Sequence, residues 1–342
     1  MARLRLIQCG MGGMGRAWWN GAVRESEDFE LAAIVDVIDA PLHEAGDALK
    51  IPLDRRFKSL AAALGAVRAD AVLTVTPPPV HAEHAELAFS RGLHVLTEKP
   101  IADDLPAALR MVEQARAVNR QLVVAQNYRF RPCIQQLKRL IQEQSVGQLG
   151  HGHIDFYIPA DFTGSFREKM EFPFLMDMAI HHLDLVRCVT GKNIIRVTTS
   201  SFNPPWSWYR HDVGLKMLLE LEGGICFSYS GDWSARGRCT SWNGTWRLQC
   251  AGGAIHLEED KVKVSRCEKW GNEVRTEPVD AAPMKHTDQS AVLSAFARSI
   301  RDAQPAETSG QDNLWSFAAV VAASISAKER GRPIDVPPLL GS

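Results

Sequence analysis

The residues of this 342-residue chain best suited to chemistry stand in two places. In the first, Glu98-Lys99-Pro100 closes an apolar run, His94-Val95-Leu96-Thr97. Most lysines are solvated. Here, however, Pro100 fixes its own φ and steers Lys99 out of helical geometry, so the lysine has a defined backbone direction. The second place is FPFLMDMAIHHLDLVRCVTG, residues 172–191, whose apolar spacing predicts an amphipathic helix. Asp177 and His181 are i and i+4 on one face, and Asp184 follows His181 by three residues. A carboxylate beside an imidazole fixes its tautomer and stabilises its charged form, as a general base working near neutral pH requires. A solvated Asp-His pair fits the same spacing. His182, about 100° round the helix, reads as structural.

A third feature supplies a cofactor. The strand-like LRLIQC runs into Gly10-Met11-Gly12-Gly13-Met14-Gly15, a G-x-G-x-x-G followed by an amphipathic stretch. In that context Gly10 permits a tight turn, Gly12 lets backbone approach a pyrophosphate, Gly15 lets helix and strand pack closely, and the helix N-terminus faces the phosphates. Twenty-one residues past Gly15, the run LAAIVDV delivers Asp36, whose carboxylate suits the ribose hydroxyls. A carboxylate there repels a 2′-phosphate, and Val37, Ile38 and Asp39 supply no arginine, so NAD is expected over NADP.

The elements that must position these groups follow two rhythms. From residue 3 to about 145, short apolar runs alternate with amphipathic ones, the βαβα pattern of a doubly wound parallel sheet of the Rossmann type. The run DAVLTVT ends in Thr76-Pro77-Pro78-Pro79-Val80-His81, where prolines turn the chain out of the sheet at its ligand-binding carboxyl edge. Helices are expected near 80–91 and 104–119. After Gly147-Gln148-Leu149-Gly150 come longer strand-like runs, from GHIDFYI to KVKVSRCEKW, with Gly223-Gly224 and Gly252-Gly253 between some of them as hairpin signals. Helices near 288–303 and 312–330 close the chain. We expect an α/β protein of two domains: a Rossmann domain over 1–128, and an α+β domain over 129–342 with a large, mainly antiparallel open sheet, its final helix in a position to pack back on the first domain.

Bulk composition narrows the partners. With 39 Lys+Arg against 40 Asp+Glu the net charge is -1, so no basic field attracts nucleic acid or an anionic membrane. No apolar stretch is long enough for a signal peptide or a membrane span. The seven cysteines are odd in number and never form C-x-x-C, against a disulfide framework or a zinc site and in favour of a reducing, cytoplasmic location.

Taken in order, the glycine fingerprint with Asp36, TPPPVH, EKP, NYRFRP at 127–132, D-x-x-x-H-x-x-D and the antiparallel second half resemble the glucose-fructose oxidoreductase, inositol dehydrogenase and rhizopine catabolism family of NAD(P)-dependent sugar oxidoreductases over nearly the whole chain. The resemblance implies a catalytic triad of Lys99, Asp177 and His181, and hydride transfer between a nicotinamide and a sugar, cyclic polyol or related carbohydrate, without a metal. Ala179 departs mildly, since many relatives carry glycine there. Cofactor contacts are expected from Gly10, Gly12, Gly13, Met14, Gly15, Asp36, Thr76, Pro77, Pro78, His81, Glu98, Lys99 and Asn127. Substrate contacts are expected from Lys99, Arg129, Asp177, His181 and Trp233. Arg129 equally suits a nearby carboxylate, and the five tryptophans between 206 and 246 equally suit packing or a subunit interface. A homodimer or homotetramer through the C-terminal sheet is implied. Two other readings stay open: a glycoside hydrolase that oxidises, eliminates and re-reduces with tightly held NAD, and a non-catalytic sugar sensor, which has no need of the triad.

Overall fold

Nearly continuous apolar runs become the strands of a parallel sheet: Leu4–Cys9 (β1), Phe29–Val35 (β2), Arg56–Phe57 (β3), Ala71–Thr74 (β4), His94–Thr97 (β5) and Leu122–Val124 (β6). Their order is β3-β2-β1-β4-β5-β6, all parallel, the doubly wound order with its switch point between β1 and β4. The structure, a computed structural model, describes residues 2–267, 269 and 273–341; the end of the predicted strand run KVKVSRCEKW, at Glu268 and Trp270, lies outside them. Helices Gly13–Trp18 (α1), Asp39–Ala48 (α2), Leu60–Ala66 (α3), His81–Ser90 (α4) and Leu105–Ala117 (α5) follow successive strands. Asp104 caps α5 by accepting the Ala107 N–H at 2.7 Å, and Ser59 caps α3 through Ala62.

Residues through Asn127 form one compact unit together with His286–Leu314; Tyr128–Lys285 and the residues from Trp315 on form the other. The division is not the single cut that the change of rhythm predicts. Helix Asp288–Asp302 (α8) belongs with the first unit because Phe296 stacks on Phe29, centroids 5.7 Å apart, and Arg301 pairs with Asp28.

In the second unit, Leu149–Tyr157 (β7), Ile194–Phe202 (β8), Gly214–Leu221 (β9), Cys226–Asp232 (β10), Thr245–Cys250 (β11), Gly253–Glu258 (β12), Lys261–Arg266 (β13), Arg275–Val279 (β14) and Ile334–Asp335 (β15) build one sheet. Its order is β14-β13-β12-β11-β7-β10-β9-β8-β15, with only β7 and β10 parallel among the paired strands. Gly223 and Gly224 take φ of 81° and 79° between β9 and β10, as the sequence predicts. The turn between β12 and β13 instead places Glu259 and Asp260 at φ 51° and 60°. Helices Pro132–Gln142 (α6) and Ile180–Thr190 (α7) also belong to this unit, and α6 packs on α7, β12 and β13. The helix Gly310–Lys328 (α9) carries the boundary between the units. No helix among the described residues is long and apolar enough to cross a membrane.

Candidate active site

The glycine turn after β1 opens onto a cleft of about 490 Å³ in the first unit, lined among others by Gly10, Gly12, Asp36, Lys58, Thr76 and Pro77. Gly10 sits at φ +88°, and a Cβ on it would meet the Val75 carbonyl oxygen at 2.2 Å; a Cβ on Gly15 would meet the Gly10 oxygen at 2.1 Å. These two glycines serve the packing of turn on strand and helix on turn. At Gly12, by contrast, the nearest obstacle is Pro41 at 3.7 Å, so the chain itself does not need glycine there. Open space over Gly12 is what the approach of a pyrophosphate requires. Asp36 accepts the Met11 and Ile38 N–H groups at 2.7 and 2.8 Å, which aims its carboxylate while leaving lone pairs for hydroxyls. Beside it Val37 and Ile38 are exposed, an apolar platform suited to a flat base. The residues present therefore fit a dinucleotide. Lys58, the cation of the cleft lining, is held by Asp39 at 2.8 Å and the Val37 carbonyl at 2.9 Å.

Lys99 follows β5 on the carboxyl edge of the same sheet, the edge that also carries the glycine turn, Asp36 and Thr76. Its backbone N–H donates to Glu98 Oε2 at 3.0 Å, Glu98 Oε1 accepts the indole N–H of Trp18 at 2.7 Å, and the Lys99–Pro100 peptide is cis. Glu98, expected at the cofactor, thus fixes the loop that presents Lys99. His81, also expected at the cofactor, is wholly buried, with its ring nitrogens 2.8 Å from the Thr76 carbonyl and 3.0 Å from that of Pro100. Burial pushes its pKa down while the carbonyls pull the other way. The neutral ring, with a single N–H, donates to one of these carbonyls and packs between the Thr76 turn and the Lys99 loop. Asn127 is nearly buried and donates to Asp288 at 3.3 Å.

In the second unit the predicted single helix over 172–191 begins as a π-helical turn, Leu175–Ala179, before α7. Asp177 lies in that turn and accepts Arg167 Nε at 2.6 Å, a partner that the sequence did not reveal. His181, on the first turn of α7, is buried with its imidazole stacked on Tyr128, centroids 4.3 Å apart and planes 9° from parallel. His182 is structural as expected: Nε2 donates to the Trp242 carbonyl at 3.1 Å, so Nδ1 accepts the Tyr229 hydroxyl at 2.8 Å. Burial pushes its pKa down to about 4, against an ordinary 6.5. Between those values the unfolded chain binds more protons, so stability rises with pH and is lost on acidification from about 6.5 towards 4, by about 3 kcal/mol for this ring. Thermal unfolding across that window should show His182→Gln less stable than wild type at pH 7 but with a flatter acid limb; parallel limbs would refute the assignment.

Two expected substrate contacts, Arg129 and Trp233, have structural partners. Arg129 is 3% exposed and gives Nε and Nη2 to the two oxygens of Asp184, each at 2.6 Å. Trp233 is 1% exposed and packs on Phe162 (centroids 4.9 Å), Phe174 (5.7 Å) and Tyr209 (6.2 Å), a core position without a face for a sugar. The residue that sequence reasoning missed is Tyr128, whose only signal was an aromatic in the segment directly after β6.

Comparison with known proteins agrees with this architecture. The profile described as "Oxidoreductase family, NAD-binding Rossmann fold" matches residues 4–126, and the "GFO/IDH/MocA C-terminal domain" matches 134–256. A D-apiose dehydrogenase of Paraburkholderia graminis is 27% identical over 97% of this chain and 88% of its own length. An inositol 2-dehydrogenase of Pseudarthrobacter chlorophenolicus is 28% identical over 65% of each. Among solved structures, an oxidoreductase from Agrobacterium radiobacter in complex with NAD+, L-tartaric acid and magnesium shares the fold with a TM-score of 0.86 at 22% identity, covering 99% of this chain and all of that one.

Proposed function

This chain belongs to the Gfo/Idh/MocA family of NAD-binding oxidoreductases, and we propose that it interconverts a CH–OH group and a ketone on a sugar, cyclic polyol or related carbohydrate. The observation that carries the reading is a lysine presented by a fixed loop on the same sheet edge as the dinucleotide cleft. The names of the relatives, an apiose and an inositol dehydrogenase, support the substrate class.

When bound, NAD supplies the hydride acceptor. His181 takes the hydroxyl proton as the carbinol hydride leaves, and returns it in the reduction. The Lys99 ammonium donates to the reacting oxygen and stabilises its developing negative charge. Asp177, aimed by Arg167, holds the imidazole in its working tautomer. Asp36 disfavours a 2′-phosphate in the cleft, and Lys58, held by Asp39, is not spare to bind one, which supports NAD over NADP. Association of copies through the nine-stranded sheet is part of the proposal, and seven free thiols suit a reducing compartment such as the cytoplasm.

The test is a screen of polyols, aldoses and glycosides with NAD and NADP in parallel, reading absorbance at 340 nm and aglycone release. NADH formation with a polyol or sugar, at least tenfold faster than NADPH formation, is the expected result. Aglycone release without net NADH would replace the dehydrogenase with a redox-assisted glycosidase, and sugar binding without either product would leave a sensor.

A further inference from the structure

We propose that Tyr128 is a positioning residue for the imidazole of His181, and that Arg131 locks it in that role. The inference rests on the reading of His181 as the base. A nitrogen lone pair lies in the plane of its ring, so the plane of an imidazole decides where it can take a proton. That plane turns about one soft bond, Cβ–Cγ, whose well is broad. A phenol stacked 4.3 Å away and 9° from parallel blocks the rotation, because a turned imidazole would drive its edge into the phenol face.

The phenol itself is held. Tyr128 belongs to the 3-10 turn Asn127–Phe130, and its other face carries the guanidinium of Arg131, with Cζ 3.3 Å from the ring centroid. Arg131 is the N-cap residue of α6, immediately before Pro132, and its N–H donates to the Tyr128 carbonyl at 3.2 Å. Its Nη1 donates to Asn243 Oδ1 at 3.0 Å, and the buried Asn243 donates in turn to Asp260 at 2.8 Å. The result is a three-layer stack, guanidinium on phenol on imidazole, anchored at its outer end to the turn between β12 and β13. On the helical segment that carries His181, Asp177 pairs with Arg167 and Asp184 with Arg129.

The experiment compares Tyr128→Leu with Tyr128→Phe in the full chain, on a substrate found by the screen above. The leucine variant should lose about tenfold to a hundredfold in kcat with KM within about threefold, because misaligned proton transfer weakens the reacting state alone. Phenylalanine, which keeps the stack, should restore kcat to within about threefold. Arg131→Gln, which strips only the backing layer, should lower kcat about threefold to tenfold, so the claim can be refuted without the leucine variant. Proton NMR reads the stack independently of turnover: the His181 ring signals, identified by their loss in His181→Asn, should move downfield in Tyr128→Leu and stay in place in Tyr128→Phe. Unmoved ring signals, or wild-type kcat in Tyr128→Leu and Arg131→Gln, overturn the inference. Moved signals together with full turnover in His181→Asn overturn the base assignment instead, and leave the stack without a catalytic purpose.

Discussion

Lys99→Met and His181→Asn are each expected to lower kcat about a thousandfold while leaving NAD affinity and thermal stability close to wild type. A general base contributes on the order of 10² to 10⁴ and a fixed donor to a developing oxyanion about 10² to 10³, so each loss corresponds to roughly 4 kcal/mol of transition-state stabilisation. Stability is spared because the Lys99 loop is held by groups other than the ammonium: Glu98 binds the Lys99 backbone N–H and the Trp18 indole, and the buried His81 packs between the carbonyls of Thr76 and Pro100. If the two groups serve one proton transfer, their losses are not additive, and the double variant should be little slower than either single one. Stopped-flow absorbance at 340 nm, with NAD affinity from calorimetry, separates chemistry from binding. Wild-type turnover by either variant on a proven substrate would remove that residue from the mechanism.

The first unit was legible because its signals are local. A strand buried on both faces is a run of apolar residues, and the G-x-G-x-x-G with Asp36 sits where β1 and β2 end. What local reading could not see is that Asp36 also clamps its own turn through Met11 and Ile38. In the second unit, β14 escaped notice because RTEPV is mostly exposed and shows no alternation of apolar residues, while the β12–β13 turn uses Glu259 and Asp260 where glycine would have announced it. The π-helical turn at Leu175–Ala179 leaves the apolar spacing of an ordinary helix nearly intact, so periodicity ran through it. At the site, the partners of the expected residues were not legible. Asp177 finds Arg167 ten residues away, His181 finds Tyr128 and Asp184 finds Arg129, and pairings between elements leave no trace in spacing. Trp233 shows the same limit, since a tryptophan at a strand end reads alike whether it faces a sugar or, as here, Phe162 and Phe174.

Arg129→Met is expected to be the most damaging change to stability outside the glycine turn, costing about 3–5 kcal/mol, the range for stranding one charge of a buried pair. Asp184 is 1% exposed, and its Oδ1 also accepts the Ser316 hydroxyl at 2.6 Å. Ser316 in turn accepts Arg187 Nη1 at 2.7 Å; Arg187 donates to Asn193 Oδ1 at 2.9 and 3.0 Å, and Asn193 donates to Glu222. The chain of bonds thus balances two guanidinium groups with two carboxylates and ties α7, which carries His181, to the Asn127–Phe130 turn and to α9. Removing Arg129 leaves Asp184 charged and desolvated in its middle, so Tm should fall by roughly 10 °C in calorimetry. Replacing both partners, as in Arg129→Met with Asp184→Leu, should recover part of the loss, because no buried charge is then left alone, though the Ser316 hydroxyl still lacks its acceptor. The contrary result is equally specific. An unchanged Tm with a substrate KM raised tenfold would mean that the guanidinium serves the ligand and that its pairing with Asp184 contributes nothing to the fold.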